Sequence, residues 1–299
     1  MKTITLKEPG QTIELDKGPF MPAVLAKGLM LSLIRPSIDH KKEIVFDKFS
    51  SSIDNIQPDL KKINQFKKIC GYPQDNNTVP MLYLQSLFIG LFGNYITSPF
   101  FPLLPLGLIH TKQSISQKRP IEQTEILKTK FTLNTVNNDP KGLEITFLLE
   151  VISEEDVVWE GITTTLCKSR RYEKKGKPVK AITPIDPFTT IDVPKNIGRL
   201  YAKVSGDFNP HHLSTFLARL FGFKHAIAHG MWSLARCVAA MEDQYPDKNL
   251  FSLDVSFKRP LFLPGTVALG ATQENENIIF ELRDNVTNIP HITGTIGTC

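Results

Sequence analysis

The sequence predicts an α+β protein built twice on one plan: a long apolar helix, then antiparallel strands that wrap it. Three observations carry that expectation. An apolar segment with helical spacing at 230–243 is followed by short alternating strands. The same order, helix then strands, occurs earlier in the chain. A length of 299 residues, 41% hydrophobic and 22% charged, supplies core material for two ordinary units.

The first unit begins with a stretch in which Pro22 to Arg35 is apolar and Leu60 to Lys68 amphipathic. These are expected to form its edge and an overhang above its helix, placed at 80–93. From Asn76 to Thr111 there is no Lys, Arg, Asp or Glu, and Met81 to Phe92 is strongly apolar. A membrane span needs about 20 continuous apolar residues. Asn94, Pro99, Pro102 and Pro105 interrupt this run, so a buried helix followed by an irregular apolar loop is preferred over a loop that touches membrane or covers an acyl chain. Ile115-Ser-Gln-Lys-Arg-Pro120 follows, and the strand-like Trp159 to Thr165 ends the unit.

The second unit repeats these parts. Met231, Leu234, Ala235, Val238 and Met241 give the helix 230–243 one buried face. Phe251, Leu253, Val255 and Phe257 alternate with polar residues as a half-buried strand does. Val255-Ser-Phe-Lys-Arg-Pro260 echoes 115–120, and Ile292 to Thr298 parallels 159–165. Strands are expected at 265–273, 277–283 and 291–298, with turns at Pro264-Gly265 and Asp284-Asn285. One helix wrapped by consecutive antiparallel strands is the hot-dog arrangement, so the chain reads as a double hot dog, a pseudo-dimer within one polypeptide. The expected boundaries are 1–168, a basic linker at 169–189, and 190–299.

The net charge of +5 suits an anionic substrate and is no nucleic-acid footprint; no stripe of interleaved basic and aromatic residues appears. Seven basic residues and one acid lie between Lys168 and Lys180. That run is either a solvated linker or a contact for coenzyme phosphates or an acidic carrier protein. Cys70, Cys167, Cys237 and Cys299 have no metal-ligand or redox spacing and read as reduced thiols. The opening residues show no apolar secretory segment, so a cytoplasmic location is expected.

Residues 201–212, Tyr-Ala-Lys-Val-Ser-Gly-Asp-Phe-Asn-Pro-His-His, and Ala228-His-Gly-Met231 hold the chemistry. Asp207 and His212 flank a turn centred on Asn209-Pro210, and His229 precedes Gly230 at a helix start. A carboxylate, an imidazole and a helix N-terminus are what is needed to move protons at an acyl thioester and stabilise an anion on it. The N–H of Gly230 has no intrahelical partner and lies at the positive end of the helix dipole; glycine lets a ligand oxygen approach closely. Taken alone, Asp207 also suits a plain turn, and His229 a structural histidine. Ser205 reads as a capping hydroxyl, with no Gly-x-Ser-x-Gly elbow around it. His211 is assigned no role.

The run closely resembles the Ser/Thr-Gly-Asp-x-Asn-Pro-x-His motif of the MaoC-like, (R)-specific enoyl-CoA hydratases in their two-hot-dog form. The resemblance implies reversible hydration of trans-2-enoyl thioesters of coenzyme A or acyl carrier protein, as in fatty acid metabolism. It makes Asp207 and His212 the acid/base pair and Gly230 the oxyanion donor. Asn209 is then an orienting group and His229 a neighbour that shapes the turn or the substrate pocket, both on the substrate-binding side of the site. No metal or other cofactor is expected, nor a transmembrane segment, and further pairing into a homodimer is left open. The first half has Val79-Pro80-Met81 where the second has His229-Gly230-Met231, and proline offers no N–H. A half without the motif implies space for the acyl chain, for which the Phe- and Leu-rich stretch Tyr95 to Leu108 is a candidate. A hot-dog thioesterase is the enzymatic alternative, but Glu242 and Asp243 are the only acids on the helix and stand at its far end. The non-enzymatic alternative is an acyl- or carrier-binding protein, which gains nothing from burying an ionisable pair.

Overall fold

A computed structural model describes residues 4–16, 18–19, 21–34, 43–105, 107–168, 185–244 and 252–297. Most of the basic run 168–180 and Cys299 lie outside the described residues. The first half contains β1 (Ile4–Leu15), α1 (Met21–Ile34), β2 (Ile44–Ile56), α2 (Leu60–Cys70), α3 (Met81–Leu84), α4 (Ile89–Thr97) and β3 to β6 (Leu108–Gln117, Leu127–Asp139, Gly142–Ser153, Asp156–Lys168). The second contains β7 (Pro187–Val193), α5 (Ile197–Ser205), α6 (Pro210–Leu213), α7 (Thr215–Leu220), α8 (Gly230–Gln244) and β8 to β11 (Ser252–Phe257, Gly265–Glu274, Asn277–Asp284, Pro290–Gly297).

These strands make one 11-stranded sheet in the order β1-β2-β4-β5-β6-β3-β8-β11-β10-β9-β7. All neighbours are antiparallel except β1 and β2, which run parallel. Each half is a hot dog, and the two join edge to edge where β3 pairs with β8. The two strands that echo each other in sequence thus pair with each other in space. Gln113 faces Val255, Ser114 faces Asp254 and Ile115 faces Leu253. Since Ile115 corresponds to Val255 in the repeat, this register is two-fold symmetric about Ser114 and Asp254. Joining at these strands leaves neither hot dog an open edge at the seam.

The second half matches the sequence pattern nearly residue for residue, because its helix and strands each bury one periodic face. Leu234, Ala235, Val238 and Met241 are buried on α8, and Leu253 and Val255 on β8. β7 starts at Pro187, inside the expected linker, because Ile191 and Val193 alternate into the core as an edge strand beside β9.

The first half departs from expectation in two places. Its central helix is not one piece: a 3-10 turn, Gln85–Phe88, separates α3 from α4, and helix continues to Thr97. The Ser86 hydroxyl donates to the Tyr83 carbonyl at 2.6 Å, a local bond that competes with the regular α-helical ladder. The overhang helix α2 reaches beyond its own half. Phe66 meets Tyr83 of α3 and Tyr201 of α5, while Trp232 Nε1 and Arg236 Nη1 on α8 donate to the carbonyls of Ile69 and Cys70 at 3.0 and 2.8 Å. Two side chains of the second half therefore satisfy the carbonyls that the end of α2 leaves without helical partners.

Within 95–108, Tyr95, Phe101 and Leu103 are buried. Tyr95 lies 4.5 Å from Phe49 and 5.4 Å from Phe101, ring centre to ring centre, so the stretch packs the core of the first half. Among the described residues, no helix is long and apolar enough to cross a membrane.

Candidate active site

The site is assembled at the start of α8 by three short elements. α5 ends on Gly206, whose φ of +79° is the left-handed conformation that glycine adopts without strain. The Ser205 hydroxyl donates to the Tyr201 carbonyl at 2.9 Å and accepts from the Asp207 N–H at 3.2 Å, the capping role its setting predicts. Asp207 Oδ1 then accepts from the Asn209 backbone N–H at 3.2 Å and from its side-chain amide at 2.7 Å. Asn209 holds the carboxylate in one orientation. Pro210 starts α6, where its missing N–H costs nothing, and places His212 on the next turn.

His212 is 8% exposed. Its Nδ1 donates to the Ile227 carbonyl at 2.9 Å, which leaves Nε2 as the acceptor. His229, 2% exposed, donates from Nε2 to the Asp207 main-chain carbonyl at 2.9 Å, while its own carbonyl accepts from Ser233 N–H at 3.1 Å. His229 thus caps α8 and ties the helix start to the motif. Its ring lies 3.7 Å from that of His212 and 4.9 Å from that of Tyr201. His211 packs between the His212 ring, 4.1 Å away centre to centre, and Phe221 and Phe223.

Electrostatically, burial would raise the Asp207 carboxyl, but the neighbouring imidazoles of His229 and His212 and the Asn209 N–H bring it below its ordinary value. His212 is pushed down to about 3 by burial, then by His229, against the opposing pull of Asp207 and the Ile227 carbonyl. His229 is lowered as well, chiefly by burial. Near neutral pH the site holds a carboxylate and neutral imidazoles.

A carboxylate oxygen of Asp207 and one ring nitrogen each of His212 and His229 lie within 4.8 Å of one another. The rings of the two histidines stack with their planes 26° apart. The Asp207 carboxylate and the His212 ring are close enough to act on one small molecule.

The structure adds residues that sequence pattern did not single out. A Cβ on Gly198 of α5 would stand 2.0 Å from the His212 carbonyl oxygen, so α5 packs directly on the motif turn. The structure also adds a packing reason for glycine at 230. Its absent Cβ would meet the Phe257 ring at 2.9 and 3.0 Å, so the residue is small because β8 packs against it. Phe257 in turn touches His110 of the first half, with ring centres 4.8 Å apart. A glycine inside a helix pattern was the one available signal for Gly198; Phe257 looked like an ordinary strand residue, and His110 carried no signal.

Comparison with known proteins places this geometry among relatives. A family model described as the MaoC like domain matches residues 174–295. The 3-hydroxyacyl-thioester dehydratase X of Mycobacterium tuberculosis is 32% identical over 223 residues, which cover 74% of this chain and 79% of that protein. The solved structure of HtdX of Mycobacterium tuberculosis matches with a TM-score of 0.73 at 28% identity, over 84% of this chain and 100% of that one. A MaoC-like dehydratase from Phytophthora capsici shares the fold, with a TM-score of 0.65 at 20% identity, over 84% of this chain and 95% of that one.

Proposed function

Because the chain belongs to the MaoC-like dehydratase family, we propose that it adds water reversibly across the C2–C3 double bond of trans-2-enoyl thioesters, forming (R)-3-hydroxyacyl thioesters. The observation that carries this reading is the pairing of the Asp207 carboxylate with the neutral His212 ring, a carboxylate oxygen and a ring nitrogen within 4.8 Å, beside the N-terminus of α8. A water molecule offers two protons and would satisfy both.

In this mechanism the water oxygen forms a bond to C3, and the C2–C3 π electrons move onto the thioester carbonyl. The Gly230 N–H, with no intrahelical acceptor and at the positive end of α8, stabilises the resulting oxyanion. The Asp207–His212 pair takes one proton from the water and returns a proton to C2. Dehydration is the same path reversed. Asn209 orients Asp207, and His229 joins the helix start to the motif.

The thioester is that of coenzyme A or an acyl carrier protein, with the first half accommodating the acyl chain, and no cofactor is required. A cytoplasmic place in fatty acid metabolism belongs to the same proposal; the buried thiols Cys70, Cys167 and Cys237 are in keeping with a reducing compartment. The test is loss of the conjugated-thioester absorbance of crotonyl- and longer trans-2-enoyl-CoA on addition of the protein, with His212→Ala beside it. Rapid loss with the wild type alone supports the reading. Equal rates in the two proteins would refute it.

A further inference from the structure

We propose that His110, from the half without the motif, is a positioning residue for the oxyanion donor Gly230 and acts through Phe257. This rests on the role given to Gly230 in the proposed function.

Regular alternation along β3 would not bring His110 to the site. Gln113, Ile115 and Gln117 are buried, and the even-numbered positions between them face outward, where Lys112 pairs with Glu144 at 2.9 Å. His110, two residues before Lys112, would share that outer face. A register shift intervenes. His110 faces Thr165 and Lys112 faces Thr164, so Thr111 is an extra residue in β3. One extra residue reverses the facing of everything beyond it. His110 is thereby turned to the opposite face, where, half-buried, its ring meets Phe257 of β8 at 4.8 Å.

The ring is held there. Nε2 bonds the Lys112 carbonyl at 3.1 Å, spanning the bulge. Burial pushes His110 down to about 4, with the Lys112 carbonyl and Gln113 partly opposing, so it is a neutral ring near neutral pH. Gln113 belongs to a buried polar chain of the first half, accepting from Thr163 at 2.8 Å, which accepts from Gln85 at 3.0 Å. On the far side, Phe257 occupies the space beside the Gly230 Cα. A continuous stack therefore runs from the interior of the first half, through His110 and Phe257, to the peptide that points its N–H at the substrate. A donor misplaced by a fraction of an ångström loses value mainly in the transition state, where the oxygen carries charge.

The chain has a single His-Gly dipeptide, His229-Gly230. Protein labelled with 13C-carbonyl histidine and 15N-glycine therefore gives one carbonyl-filtered amide peak, that of Gly230. His110→Ala is expected to shift this peak and to lower kcat on trans-2-enoyl-CoA by about tenfold, with KM changed less than about twofold, part of the roughly 10²–10³ that a whole oxyanion donor contributes. His110→Phe, which restores a ring against Phe257, is expected to return both peak and kcat most of the way, and it also serves if the alanine variant folds poorly. An unmoved Gly230 peak with unchanged kcat in His110→Ala overturns the proposal. A restored peak without restored kcat in His110→Phe also overturns it, since His110 would then act on the substrate directly. If the wild type hydrates no enoyl thioester, the proposed function fails, while the peak still reports whether His110 positions Gly230.

Discussion

The main-chain carbonyl of Asp207 accepts a 2.9 Å hydrogen bond from Nε2 of His229, so the motif turn and the start of α8 are fixed to each other across 22 residues of chain. That bond brings Asp207, His212 and the helix N-terminus together in one place. It also assigns His229 its tautomer and makes the residue a joint between two pieces of machinery.

Loss of that joint is expected to affect stability and rate together. His229→Phe keeps a ring against His212 but leaves a carbonyl without its donor, which costs about 1–3 kcal/mol when a buried partner is removed. Urea denaturation is expected to show that loss, with kcat falling beside it; unchanged stability would mean that the bond does not form.

Asp207→Asn and His212→Ala are expected to reduce kcat/KM by about 10²–10⁴. Asp207→Asn is expected to keep its melting temperature close to that of the wild type, whereas His212→Ala also leaves the Ile227 carbonyl without its donor and loses about 1–3 kcal/mol of stability. Asparagine at 207 keeps an oxygen that can accept from the Asn209 amide, and Ser205 still accepts from the main-chain N–H of residue 207, so that turn persists. Steady-state kinetics with thermal melting separates chemistry from folding.

Gly198→Ala is expected to damage the site from behind. Its methyl group would have to occupy a point 2.0 Å from the His212 carbonyl oxygen, and α5 or α6 must move. Overpacking of this kind costs about 1–3 kcal/mol, and a displacement near 1 Å at the reacting groups about 10² in rate. Alanine at neighbouring Arg199, which is exposed, is the control and is expected to be silent.

Acid is expected to destabilise the protein from about pH 6.5 downward. His212 titrates near its ordinary value when unfolded but near 3 when folded, so between those limits the unfolded chain binds more protons and stability rises with pH. Asp207 has the same sign: its folded value lies below its ordinary 3.8, so its contribution is present above that value and is lost as pH falls through the folded one. The urea midpoint is expected to fall between pH 7 and pH 5. Because Asp207 and His212 both keep their acceptor forms, kcat/KM is expected to stay nearly flat from about pH 6 to 8; an acid limb near 6.5 would contradict the neutral, buried His212.

Local periodicity made much of this architecture legible. The helix 230–244, strands β8 to β11 and the repeat that becomes the β3–β8 seam follow from apolar spacing, because each element must turn one regular face to a core. Asp207, Asn209 and His212 were legible for a related reason: they stand within one turn, and Asn209 reaches Asp207 without help from the rest of the fold. Tertiary structure alone decided what lies between distant segments. It broke the first central helix at Gln85–Phe88, laid β1 parallel to β2, and carried α2 across to α8. It also fixed the tautomer of His212 through the Ile227 carbonyl, set Phe257 against Gly230, and turned His110 to the opposite face of β3 through a bulge. The physical reason is that spacing along a chain records which face of an element is apolar, whereas a hydrogen bond or ring contact between two elements exists only once both have been packed into place.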